Sequence, residues 1–260
     1  MYCECLRVLC YVRYSFFCGF FFFFIVTLPL LFIAALWSFV NKEKSSLFAQ
    51  STVRILVRGI LILSGVRLTV KGKENIPEGE ACLFVPNHRS YFDFLVTFDS
   101  VKSPVINIGK KELKYVPVMG QWISLMGTLL LDRKSKKSGL LVIKEAVENV
   151  KAGVNVFIYP EGTRNKGTEE ELLPFHEGSL KISQWSHCKV IPVAILRSRD
   201  VYENHRPRIT PADVTLLFGE PIDPEELSRE DRKRYGALVR ERITEMIRRE
   251  EKLLKGEKDD

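Results

Sequence analysis

Residues 82–93 read Cys82-Leu83-Phe84-Val85-Pro86-Asn87-His88-Arg89-Ser90-Tyr91-Phe92-Asp93. The apolar start has strand composition and Pro86 ends it. A polar turn then leads into a helix that either Asn87 or Ser90 can cap. Six further apolar runs have the same character, at 68–71, 105–108, 128–131, 154–159, 190–196 and 214–218. Helical patterns separate many of them, most plainly at 138–151 and 177–186. Strands alternating with helices predict an α/β domain, with a largely parallel sheet flanked by helices. A chain of 260 residues has room for one such domain and an anchoring segment.

The anchor is expected upstream. Residues 16–40 are almost continuously apolar and carry no charge. As helix they would span roughly 37 Å, enough to cross a hydrocarbon core with some tilt. The run is longer than a signal-peptide core, and no small-residue cleavage site follows it. Pro29 is expected to kink this helix or divide it into a re-entrant hairpin. Arg7 and Arg13 precede the run, whereas Lys42, Lys44, Arg54 and Arg58 follow it. That bias puts the rest of the chain on the cytoplasmic side of a membrane. Over 53–66, Arg54 and Arg58 share a helix face amid Ile55, Leu56, Ile60, Leu61 and Leu63. Such a helix can lie at an interface with its arginines reaching head groups, or be buried in the domain. Beyond Pro224, Leu227, Tyr235, Leu238, Val239, Ile243, Met246 and Ile247 recur at helical spacing, which predicts a helix docked on the domain. The expected organisation is a membrane anchor and interfacial helix at 1–66, the α/β domain at 67–223, and an amphipathic helix and tail at 224–260.

The formal net charge of +7 suits nucleic acid, anionic lipid or a phosphorylated substrate. A long apolar segment beside it favours lipid and argues against nucleic acid. Of the six cysteines, Cys3, Cys5, Cys10 and Cys18 crowd the N-terminus, while Cys82 and Cys188 sit in apolar runs. No spacing resembles a zinc framework, and no metal is expected.

His88 stands at a strand's end before a helix start, a usual place for reacting groups in an α/β sheet. Asp93 falls in the first turn of that helix, close enough to fold back on the imidazole. A carboxylate on one ring nitrogen leaves the other free to take a proton from a hydroxyl. The same pattern is also compatible with a capping motif in which the histidine is incidental. There is no Gly-x-Ser-x-Gly elbow and no cysteine beside a plausible histidine. A hydroxyl on the substrate is therefore the natural attacker, with direct transfer rather than a covalent enzyme intermediate. A second strand ends in Tyr159-Pro160-Glu161-Gly162-Thr163-Arg164, where Gly162 permits a sharp turn and Arg164 can grip a phosphate. A third delivers Arg133 through Gly127-Thr128-Leu129-Leu130-Leu131-Asp132, and Lys110 and Lys111 add positive charge.

Together these elements resemble the glycerophospholipid acyltransferase family, more specifically its 1-acylglycerol-3-phosphate acyltransferases. Four motifs occur in the family's order between Leu83 and Val193. His88 and Asp93 match its His-x4-Asp catalytic pair. Arg133 matches the phosphate-binding position of the second block, and Lys110 a basic position near the phosphate. Glu161, Gly162, Thr163 and Arg164 match the block that binds the glycerol phosphate, and Val190-Ile191-Pro192-Val193 the apolar fourth block. The resemblance implies an acyl-CoA or acyl-carrier-protein donor, lysophosphatidic acid as acceptor and phosphatidic acid as product. It also implies a catalytic cleft near membrane lipid and no cofactor. Departures are Tyr159 where the family usually has Phe, His176 where Lys or Arg commonly follows Phe, and the acidic run Glu169–Glu171. They leave open an acceptor other than lysophosphatidic acid. A catalytically idle lipid-binding protein is the reading from a different class, and the intact His88 and Asp93 argue against it.

Overall fold

The computed structural model describes residues 26–102 and 104–256. Helix α1 (Val26–Val40) and helix α2 (Lys42–Leu63) come first. Strand β1 (Val66–Lys71), β2 (Leu83–Pro86), helix α3 (Phe92–Ser100) and β3 (Val105–Lys110) follow. Next are α4 (Met119–Leu125), β4 (Leu129–Leu131), α5 (Lys136–Lys151) and β5 (Asn155–Phe157). The chain closes with α6 (Lys181–Ser186), β6 (Val190–Leu196), β7 (Ala212–Phe218), α7 (Arg229–Lys233) and α8 (Tyr235–Lys255).

The seven strands form one sheet in the order β1-β7-β6-β2-β5-β3-β4. Every pairing is parallel except β6 with β7. Alternation along the strands divides the core between two faces. Phe84 of β2 packs with Phe98, Phe157, Ile191 and Phe218 on the side covered by α2, α3 and α4. Leu83 and Val85 point the other way, to Val147, Val156, Val190 and Ile243 beneath α5, α6 and α8. The Phe84 ring stacks on Phe157 at 4.7 Å and meets Phe218 edge-on at 6.0 Å. Strands β2 and β6 are buried throughout, as continuous apolar runs between two helical layers must be.

Three expectations about the first 66 residues need revision or restriction. Residues 1–25, with the first part of the apolar run, Arg7, Arg13 and the four N-terminal cysteines, lie outside the described residues. Pro29 sits inside α1 without dividing it, and the helices separate at Asn41 instead. The Asn41 side chain caps α2 by accepting from the Lys44 amide at 2.8 Å. Ser45 Oγ then donates to the Ala34 carbonyl at 2.7 Å and Trp37 packs on Phe48, so α1 folds back along α2.

Arg54 and Arg58 are both engaged by the α/β body. Arg54 donates to the Phe98, Asp99 and Val101 carbonyls, and Arg58 pairs with Asp99 at 3.0 Å. Arg54 caps the C-terminal end of α3, where free carbonyls and the helix dipole favour cations, and Arg58 holds the same turn through the Asp99 side chain. Ala49, Val57 and Leu61 enter the core, and Gln50 bridges Met126 O and Val105 N. Helix α2 is thereby built into the α/β body. Its outer face leaves Ile55, Ile62 and Leu63 exposed, as α1 leaves Phe32, Leu36, Phe39 and Val40.

Candidate active site

Strand β2 ends beside β6, and Asn87 completes that junction. Its side-chain amide donates to Ile195 O at 3.0 Å and accepts from Ile195 N at 2.8 Å, extending the ladder by one residue. The chain can then leave the sheet, and it presents His88 at the carboxyl edge.

Asp93 folds back from the first turn of α3. Its Oδ2 accepts from His88 Nδ1 at 2.9 Å, Arg89 N at 2.6 Å and Ser90 N at 2.7 Å. Ser90 Oγ in turn accepts from Phe92 N, the first amide of the helix, at 3.0 Å, whereas Asn87 is committed to Ile195. The capping and catalytic readings of this stretch are therefore compatible, because one carboxylate serves both. Asp93 is fully buried, whereas the His88 side chain is 20% exposed. With Nδ1 facing an acceptor-only carboxylate, the proton resides there and Nε2 is left as the base.

The β5 loop is stapled to this turn. Glu161 Oε1 accepts from His88 N at 2.7 Å and its Oε2 from Leu173 N at 3.0 Å, while Asn165 N donates to His88 O at 2.7 Å. Burial raises the Glu161 carboxyl above its ordinary range, and the two amide bonds oppose that shift. Both of its oxygens are engaged by backbone, so Glu161 holds the histidine loop rather than facing a ligand. Gly162 has φ +65°, and a Cβ there would come within 2.9 Å of His176 Nε2. Both constraints favour glycine. Tyr159 lays its ring 4.4 Å from the His88 ring and bonds Thr97 Oγ1 at 3.0 Å. Burial and the nearby Asp93 push this phenol upward, so it stays protonated. The hydroxyl that a phenylalanine would lack thus has its partner in Thr97. Thr163 is exposed beside these groups.

The sequence-predicted residues separate into two groups. His88, Asp93, Glu161, Gly162, Thr163 and Arg164 lie on adjacent strands and the loops that lock together above them. Lys110 and Arg133 end β3 and β4, two and three strands from β2, or roughly 10 and 14 Å across the edge at ordinary strand spacing. Lys110 pairs with Glu112 at 3.4 Å, Lys111 with Asp132, and Arg133 is exposed on the turn. Arg164 turns away from them. Its guanidinium stacks over the Tyr91 ring at 3.6 Å and meets Glu203 Oε1 at 3.5 Å. Glu203 was not apparent from the sequence, because it lies in an irregular stretch between β6 and β7 with no local motif.

Two of the three residues of the acidic run are also engaged. Glu169 accepts from Arg197 N at 2.6 Å and lies 3.4 Å from the buried Arg89, and Glu170 pairs with Arg248 of α8 at 3.3 Å. These charges hold the 165–171 loop to the body, so their presence is no argument against an anionic acceptor.

A family model described as Acyltransferase matches residues 67–196. A 1-acyl-sn-glycerol-3-phosphate acyltransferase of Saccharomyces cerevisiae is 24% identical over 206 residues, 79% of this chain and 68% of that protein. One from Borreliella burgdorferi is 24% identical over 195 residues, 75% of this chain and 77% of that protein. The crystal structure of the 1-acyl-sn-glycerophosphate (LPA) acyltransferase PlsC from Thermotoga maritima superposes with a TM-score of 0.72 at 25% identity, covering 94% of this chain and 97% of that one.

Proposed function

The chain belongs to the acyltransferase family, and from that premise we propose that it moves a fatty acyl group from acyl-CoA or acyl-carrier protein to the sn-2 hydroxyl of lysophosphatidic acid, giving phosphatidic acid. The observation that carries this reading is the His88–Asp93 pair, with Nδ1 held at 2.9 Å and the imidazole part-exposed at the sheet edge. In the reaction, Nε2 takes the hydroxyl proton as the acceptor oxygen attacks the thioester carbonyl carbon. Asp93 stabilises the imidazolium that forms. The tetrahedral intermediate expels the thiolate, which receives the proton from Nε2. No charge is left on the enzyme and no acyl group is bound to it. Neither cysteine among the described residues suits a nucleophile: Cys82 is fully buried and burial pushes its thiol up to about 12, and Cys188 is raised for the same reason.

Lysophosphatidic acid as acceptor is supported by the names of the relatives and by Arg164, whose guanidinium is aligned on Tyr91 with donors to spare for a phosphate. Lys110 and Arg133 supply further positive charge along the same edge. A membrane location is supported by the apolar side chains that α1 and α2 leave uncovered, and placement of the domain on the cytoplasmic side rests on the Lys and Arg residues that follow the apolar run. Helix α2 has the length and composition to cross a bilayer, although its inner face is committed to the core.

The test is to incubate the purified protein with a panel of lysolipids, each with acyl-CoA and with acyl-carrier protein, and to read products by mass. Phosphatidic acid as the main product is expected. No acyl transfer to any phosphate-bearing acceptor would refute the assignment.

A further inference from the structure

Glu203 opens a 3-10 turn (Glu203–His205) in the stretch between β6 and β7, and only 6% of its side chain is exposed. Oε2 accepts from Ser90 Oγ at 2.6 Å and Oε1 from Tyr91 N at 2.9 Å. The same Oε1 lies 3.5 Å from Arg164 Nη1 and 3.9 Å from Arg206 Nη2. Both guanidinium groups also address the Tyr91 ring, Arg164 at 3.6 Å and Arg206 at 5.8 Å. One carboxylate thus touches the turn that bears His88 and Asp93 and the arginine assigned to the acceptor's phosphate.

The support beneath it is firm. Val201 is fully buried, Arg199 donates to Asn165 O at 2.9 Å and to Asn204 Oδ1 at 3.2 Å, and Thr210 N closes on Val201 O. A buried carboxylate must be matched by donors, and here those donors are parts of the site. Two guanidinium groups against one carboxylate leave the cluster net positive, which suits an incoming phosphate.

We propose that Glu203 is a positioning residue for acceptor recognition. It orients Arg164 on the face of Tyr91 and fixes that arginine relative to the His88–Asp93 turn through Ser90 and Tyr91. This inference rests on the acceptor reading above. Glutamine at 203 can keep the loop bonds, since its carbonyl accepts from Tyr91 N and its amide donates to Ser90 Oγ. What it loses is the charge that aligns Arg164.

The experiment is steady-state kinetics on Glu203→Gln, with lysophosphatidic acid and the acyl donor varied separately, in the unaltered and Arg164→Ala backgrounds. The expected result is an acceptor KM raised about five-fold, a donor KM that moves much less, and no further rise once Arg164 is gone. Glu203→Ala, which also releases Ser90 and Tyr91, is expected to lower kcat as well. An acceptor KM that stays level or falls in Glu203→Gln would overturn the proposal, as would an equal rise in both backgrounds. Failure of the underlying reading appears elsewhere: the unaltered enzyme would show no preference for lysophosphatidic acid over monoacylglycerol, and the inference would fall with it.

Discussion

The carboxyl edge of this sheet carries cations at both ends of its β2-to-β4 half, and the two ends are built differently. At β2 and β5, His88, Asp93, Glu161, Arg164 and Glu203 are joined by hydrogen bonds through largely buried side chains. At β3 and β4, Lys110 and Arg133 are exposed, and the ion pairs beside them are partly solvated. A buried, cross-linked group loses little entropy when it meets a ligand, whereas an exposed long side chain must be ordered and is screened by solvent. Equal charge at the two ends does not imply equal weight in recognition.

That contrast can be broken by mutation. The largest effect is expected from His88→Ala, a fall in kcat of about two or more orders of magnitude with acceptor binding little altered. Asp93→Asn should fall in the same range, because it disturbs the tautomer as well as the turn. Substantial turnover by a folded His88→Ala protein would contradict the mechanism.

Arg164→Ala should come next, at about 2–4 kcal/mol in kcat/KM, expressed mainly as a higher acceptor KM. Lysine there should rescue only in part, since it keeps the charge but loses the planar fork and the stacking on Tyr91. Equal losses for donor and acceptor would show that Arg164 serves the fold instead. Arg133→Ala is expected to cost less, about 1 kcal/mol in kcat/KM, with an effect that shrinks as salt is added. A loss as large as that of Arg164→Ala would erase the distinction between the two ends. The smallest change belongs to Lys111→Ala, which removes an exposed pair with Asp132. A small loss of thermal stability that added salt removes, followed by thermal denaturation, is the expected outcome.

Much of the site could be read from the chain alone because its central contacts are short-range. His88 and Asp93 are five residues apart at a strand-to-helix junction, so the motif carries its own geometry. The central strands were legible for a similar reason, since apolar runs buried between two helical layers leave a compositional signature. Arg54 and Arg58 were a different case. Their helix was recognisable, but an arginine stripe looks the same whether it meets head groups or the carbonyls ending α3, and only the packing of α2 on α3 decides. The helix break followed the same logic. Pro29 looked like the natural breaker, yet an Asn41 cap and the Ser45–Ala34 bond hold the turn twelve residues later.

By itself, then, the sequence determined the α/β class, the pairing of His88 with Asp93 and the family, each of which rests on contacts between near neighbours or on periodic burial. The tertiary structure decided which way Arg164 faces, that Glu161 is consumed by backbone amides, and that Glu203 stands behind the site. Ser90 and Glu203 are 113 residues apart, and no local pattern encodes a contact across that distance. It exists because β6 lies beside β2 in the sheet, which brings the stretch after one strand over the loop that follows the other.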